Sequence, residues 1–174
     1  MSVDSYKKFI IIGALALCAG YFLPWILDSG SGQSISGFDM LKAGWEYLQS
    51  LLAQEPFNWQ MVDWNVAIFY AAVTLPALGA LLSLLYCLFN PAGGNGGIGS
   101  FYFLLPFLTL AGIWAFIMIT YGKQSAGGLI ATAIADTVKN DALDLSKTAG
   151  LWLVHVGTVL MLLARLARGG QRKL

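Results

Sequence analysis

The one side chain in this sequence with the chemistry of a general base, a proton relay or an imidazole metal ligand is His155, the only histidine present. It sits within the run AGLWLVHVGTVLMLLARL, about one and a half helical turns from the start of that run. An ionisable group in so apolar a helix is a functional-site candidate by default, for proton transfer, metal binding or haem ligation. Its surroundings narrow these options. No second histidine completes a bis-imidazole haem site, and no HExxH, CxxC or H-x-E set supplies further metal ligands. Serine, cysteine and histidine do not assemble into a nucleophile, base and orienter. A neutral imidazole hydrogen-bonded to Thr74, Thr109 or a carbonyl freed near Pro76 accounts for His155 as well. The reading assigns no catalytic residue, no metal ligand and no cofactor.

Pro76 is the second candidate. A proline inside a helix removes one backbone donor and frees a carbonyl, giving either a hinge beside a cavity or a static kink. Cys18 and Cys87 both lie in apolar runs, where a thiol packs as a small hydrophobe. The acidic residues of the segment after the first apolar run are widely spaced and lack the Asp-x-Asp-x-Asp-Gly order of a calcium loop. NPAGGNGGIGS is glycine-rich but carries no GxxxxGK[ST] phosphate cradle.

The elements that must position these residues are apolar helices. Hydrophobic residues make up 57% of the chain and charged ones 11%, with a mean hydropathy of +0.69. A soluble surface needs about a quarter of its residues charged. Residues 66–89, VAIFYAAVTLPALGALLSLLYCLF, reach roughly 36 Å as a helix, beyond the ~30 Å hydrocarbon core of a bilayer. Spans are also predicted over 9–27, 101–121 and 149–166. Lys7, Lys8 and the Ala14-Leu15-Ala16 triplet resemble a signal peptide, but the first apolar run continues past that point to Leu27. Trp25 is placed at headgroup level.

The intervening segments divide by charge. Residues 28–65 contain Lys42 against Asp28, Asp39, Glu46, Glu55 and Asp63, whereas Lys7, Lys8, Arg165, Arg168, Arg172 and Lys173 flank the chain ends. Basic residues collect on the cytoplasmic face. This puts both termini and the short loop 90–100 inside, and the loops 28–65 and 122–148 outside. Trp25, Trp45, Trp59, Trp64 and Trp152 then share the outer interface. Arg165, Arg168, Arg172 and Lys173 are read as lipid-headgroup anchors. The net charge of +1 gives no field for nucleic acid. No Asn-X-Ser/Thr sequon occurs, which fits a prokaryotic source and a plasma (inner) membrane.

Within the first outer loop, Ser36-Gly37-Phe38-Asp39 predicts a capping box. The apolar residues Phe38, Leu41, Trp45, Leu48, Leu51 and Leu52 then recur at helical spacing, opposite Asp39, Lys42, Glu46 and Gln49, until Pro56 ends the pattern. This amphipathic helix is too short and too charged to span. Leu129, Ile130, Ala133, Ile134 and Val138 predict a second one in the later outer loop. Ala16/Gly20, Gly79/Ser83 and Ala111/Ala115 have the small-xxx-small spacing of close helix contacts.

The fold class is thus an all-α integral membrane protein, a single-domain antiparallel bundle of four transmembrane helices with amphipathic outer helices. A long first outer loop, a short inner loop and a shorter second outer loop resemble the claudin-like tetraspan families in architecture. The first loop lacks their Trp-Leu-Trp motif and cysteine pair, so no residue roles follow. The function expected is non-catalytic: an accessory, scaffold or assembly subunit, with the lipid bilayer and other membrane subunits, or further copies of itself, as partners. Phe38, Leu41, Trp45, Leu48 and Leu52 form the candidate interface. The alternative is an oligomeric small-solute or ion/proton transport component using Pro76 and His155.

Overall fold

Pro24 decides where the first helix stops. It has no N–H to donate, and it pushes Leu23 out of the helical region. The computed structural model describes residues 3–27, 33–56, 58–89, 97–141 and 143–170, with 3–5, 27, 97–103, 126, 127 and 168–170 as backbone only. Helix α1 runs over Val3–Gly20, and its end tightens through Tyr21 N–H to Cys18 O and Phe22 N–H to Ala19 O, at 3.1 Å each. The chain then extends as β1, Pro24–Leu27, paired antiparallel with β2, Ser34–Ser36. The predicted helix over 9–27 is corrected here: its last residues form a hairpin strand. The rest of the polar turn, residues 28–32, lies outside the described residues.

Five further α-helices follow: α2 Gly37–Leu52, α3 Trp64–Phe89, α4 Gly97–Thr120, α5 Ala126–Asp141 and α6 Leu145–Gly170, with one 3₁₀ turn at Trp59–Met61. Two of them, α3 over Trp64–Phe89 and α6 over Leu145–Ala167, are long and apolar enough to cross a membrane. Helices α4 and α6 begin four residues before their predicted starts, and α6 also continues past residue 166. Polar residues such as Ser146 and Lys147 extend a helix as readily as apolar ones once its first turn is fixed, and hydropathy does not mark that turn. Asp144 fixes it: its Oδ1 accepts from Ser146 N–H at 3.1 Å. The Ser146 hydroxyl, which bonds the Asp144 side chain, holds that carboxyl below its usual range. Residues 90–96 of the predicted inner loop lie outside the described residues.

Helices α1, α3, α4 and α6 form a closed antiparallel ring, with α1 against α6 as its most extensive contact. Glycines explain that contact. A Cβ on Gly13 would lie 2.8 Å from Gly157 O, and one on Gly20 would lie 2.7 Å from Gly150 O. The two backbones meet with no side chain between them. Across the ring, Gly79 of α3 receives the Pro106 ring of α4, whose atoms would be 3.0 Å from a Cβ there. Ser83 is fully buried beside it. Of the predicted pairs, Gly79/Ser83 lies at a helix contact and Gly20 of Ala16/Gly20 does, whereas Ala111 and Ala115 do not. Both lie on the exposed face of α4, because Leu110, Ile113 and Ile117 take the inward positions.

One pole of the ring holds the start of α1, the end of α3, the start of α4 and the end of α6. The hairpin, α2 and α5 cover the opposite pole. The turn into α5 passes through Gly122 at φ +73°, a left-handed conformation that favours glycine. Gly122 N–H donates to Thr132 Oγ1 at 3.1 Å, tying the turn to the next helix. Helix α5 buries Ala131, Ile134 and Thr137, while the predicted face residue Leu129 is exposed.

Candidate functional site

Two sequence pieces thirteen residues apart, Leu23-Pro24-Trp25 and Ser36-Gly37-Phe38-Asp39, close into one unit. Pro24 is in register with Ser36 across the hairpin. Asp39 Oδ2 accepts from Ser36 N–H at 2.8 Å and Asp39 N–H donates to Ser36 Oγ at 3.1 Å, completing the predicted capping box. The Ser36 hydroxyl and backbone amide hold the Asp39 carboxyl below its ordinary range. Trp25 is 3% exposed, its Nε1–H donating to Gly20 O at 2.9 Å, so its indole packs inside the protein. Its indole lies where a Cβ on Gly37 would come within 2.7 Å. Phe38 N–H donates to Tyr21 O at 2.7 Å, and the Phe38 ring stacks on Phe22 at 5.4 Å. This clasp fixes the start of α2 against the end of α1.

Farther along, Gly44 lets α2 rest on the Tyr70 ring of α3, and Tyr47 lies tilted on the same ring at 6.1 Å. The Tyr47 hydroxyl accepts from Asp63 N–H at 3.0 Å. Met40 and Leu51 are buried on this side. The candidate stripe behaves differently. Leu41 is half-buried, but Phe38, Trp45, Leu48 and Leu52 are exposed, Trp45 by 60% and Leu52 by 65%. The apolar arc of α2 is wider than the surface beneath it. One half packs on Trp25, Tyr21 and Tyr70, and the other half has nothing over it among the described residues.

His155 meets none of its predicted partners. Trp114 Nε1–H donates to its Nε2 at 2.8 Å, and its Nδ1 lies 2.7 Å from Leu151 O. Indole is donor only, so Nε2 presents its lone pair and Nδ1 carries the proton toward Leu151. That pair of bonds defines a neutral imidazole with both nitrogens engaged. The rings of Trp114 and Trp152 flank it at 5.7 and 6.4 Å. Beside it lies an apolar cavity of about 100 Å³ bordered by Val138, Thr148 and Leu151. This is well below the ~300–1,000 Å³ of typical ligand pockets. Trp114 was missed because its position within an apolar run looks like any other core aromatic.

Pro76 does not join His155: it is absent from the lining of this cavity and is buried in α3. The hydroxyl near it belongs to Tyr21, which donates to Val73 O. Thr74 and Thr109 donate within their own helices, to Tyr70 O at 2.8 Å and Leu105 O at 2.7 Å. Pro106, within α4 and equally buried, has a clearer packing role through Gly79.

The basic end is only partly described. Arg165 is half-buried, with its Nε buried and without a hydrogen-bond partner among the described residues. Its position explains this, since α6 continues beyond it to Gly170 instead of ending there. The Arg168 side chain, and Arg172 and Lys173 entirely, lie outside the described residues. Cys87 is buried and Cys18 half-buried, both among apolar neighbours. No protein-family model, no curated protein and no solved structure matches this chain, so its function is read from geometry.

Proposed function

We propose that this chain is a non-catalytic four-span protein of a prokaryotic plasma membrane, acting as an accessory or assembly subunit of a larger membrane complex. The observation that carries the reading is the uncovered half of α2. The clasp and the Tyr70 contact hold this helix rigidly, yet they leave Trp45 and Leu52 as its most exposed large apolar residues. A pre-positioned apolar edge lowers the ordering cost of association, and aromatic residues dominate such contacts.

The length and apolar character of α3 and α6 support the membrane setting. Helix α4 adds an apolar stretch over Leu104–Thr120. The first span combines the apolar part of α1 with the hairpin. Non-helical backbone is tolerated at membrane depth where protein buries it, and Trp25 and Ile26 are buried. Lys7, Lys8 and Arg165 belong to the pole of the chain ends, and the acidic loop to the other. This supports cytoplasmic termini. The engagement of both His155 nitrogens supports a structural histidine, since a relay would first have to break one of these bonds.

A photo-crosslinking residue at Leu52 tests the interface in intact cells. The expected result is one discrete heterologous protein adduct, lost in the Trp45→Ala background and absent when the probe is at Ser50. An adduct made only of two copies of the chain, together with ion flux in liposomes that His155→Ala abolishes, would overturn the reading.

A further inference from the structure

Under the exposed edge of α2 lies a cleft whose size and chemistry select an occupant. Gly44 and Tyr47 bring α2 onto α3, but on the side of Leu41, Trp45 and Leu48 the two helices separate. The space between them is about 640 Å³, floored by the small residues Ala67, Ala71 and Thr74 of α3. The Thr74 hydroxyl is spent on Tyr70 O, so the floor offers a ligand hydrocarbon surface. The nine residues of helix from Ala67 to Leu75 give a floor ~12 Å long. The cleft lies within the ~300–1,000 Å³ of small-ligand sites. An unbranched hydrocarbon chain fits a floor of that length and lining.

Charge at the mouth chooses the headgroup. The Tyr47 hydroxyl holds the Asp63 backbone amide at this end, and Glu46 sits between the lining residues Trp45 and Tyr47. The one Lys or Arg in residues 28–65 is Lys42, already 3.9 Å from Glu46. Two carboxylates, Glu46 and Asp63, against the single Lys42 beside this end favour a headgroup ammonium over a net-anionic lipid. We infer that the α2–α3 cleft is a binding site for one acyl chain of an amine-headgroup phospholipid, lying on Ala67, Ala71 and Thr74 beneath Trp45. This inference rests on the membrane reading above. The outer edge at Trp45 and Leu52 remains for a protein partner.

Native mass spectrometry of the full-length chain tests it, after extraction from membranes containing phosphatidylethanolamine and phosphatidylglycerol and exhaustive detergent exchange. The wild type should retain one phosphatidylethanolamine per chain. Occupancy should fall about tenfold in Ala71→Trp and in Ala67→Leu, equivalent to ~1.4 kcal/mol, and should persist in Ala115→Trp on the exposed face of α4. Neither cleft residue is buried, and circular dichroism verifies that each variant folds. A measurement without cleft variants is quenching by chain-brominated phosphatidylethanolamine, read as wild type minus Trp45→Phe. Greater quenching than by brominated phosphatidylglycerol is expected. Equal occupancy in both cleft variants, retention of phosphatidylglycerol alone, equal quenching by both lipids, or a protein segment crosslinked to Ala71 would overturn the site. A detergent-extracted wild type without lipid would overturn the site and leave the membrane reading standing. Chain recovered in the aqueous fraction without detergent would overturn that reading itself.

Discussion

Gly157→Ala and Gly112→Ala add the same methyl group to two helices with opposite expected signs. At Gly157 the new Cβ would lie 2.4 Å from Gly13 O and 2.8 Å from Leu17 N. Both atoms are backbone, so no rotamer change relieves the overlap, and α1 must move away from α6. Overpacking of this kind costs about 1–3 kcal/mol, against about 1 kcal/mol gained from replacing a helical glycine. The overlap outweighs it, leaving a net loss of up to about 2 kcal/mol. At Gly112 no atom lies within 4 Å of the new Cβ, so only the propensity gain of about 0.5–1 kcal/mol remains. For a chain of this size each kcal/mol moves the Tm by ~2–4 °C, and the two variants, whose propensity gains cancel, should differ by the overlap cost of about 1–3 kcal/mol, or ~2–12 °C. The assay is helical ellipticity against temperature in one detergent at one scan rate, because irreversible unfolding makes the apparent Tm rate-dependent. A Gly157→Ala protein as stable as Gly112→Ala would refute the backbone contact between α1 and α6.

Three further outcomes follow from individual bonds. A double-mutant cycle of Trp114→Phe and His155→Ala should give a coupling of about 1 kcal/mol, and ¹⁵N chemical shifts of His155 should report a neutral Nδ1–H ring that Trp114→Phe alters. Tyr21→Phe removes the bond to the Val73 carbonyl and should cost about 0.5–1.5 kcal/mol in thermal unfolding. The depressed Asp39 carboxyl contributes stability above its unfolded pKa and loses it as pH falls through its lower folded value. Amide exchange at the start of α2 should therefore accelerate as pH falls below ~4, the unfolded carboxylate value, relative to a reference peptide at each pH. Asp39→Asn should show fast exchange throughout.

Elements with a one-dimensional signature were legible in the sequence; contacts between elements were not. The capping box at Ser36 and Asp39 is local, as is the apolar period of α2, and both appear where the residues place them. Hydropathy locates α3 well because all its faces are apolar. It overruns at the first span because β1 is as apolar as the helix before it, and only Pro24 marks the change. The seam of Gly13, Gly20, Gly150 and Gly157 uses a seven-residue spacing on both helices, so a search for pairs four apart finds Gly20 and misses the partners. Ala111 and Ala115 satisfy the search and face outward. The His155–Trp114 bond joins residues forty-one apart on different helices, and no pattern within either run announces it.

The glycine seam and the cleft are steps in one chain of constraints. Because α1 and α6 meet backbone to backbone, Gly150 comes close enough to Leu23 O and Trp25 that a Cβ would lie 2.4 and 2.7 Å from them. That leaves room for the hairpin only if Trp25 turns inward, where its indole meets Gly37 and sets the first turn of α2. A helix fixed there and again by Gly44 on Tyr70 has its rotation about its own axis fixed as well. Met40 and Leu51 must then face the bundle, while Trp45 and Leu52 face away. A residue at Gly37 large enough to displace Trp25 would free this rotation. The apolar arc of α2 could then roll onto α3, closing the cleft and removing the exposed edge together. The exposure of Trp45 and Leu52 is therefore a consequence of contacts made at the clasp, and the two proposals concerning α2 share that dependence.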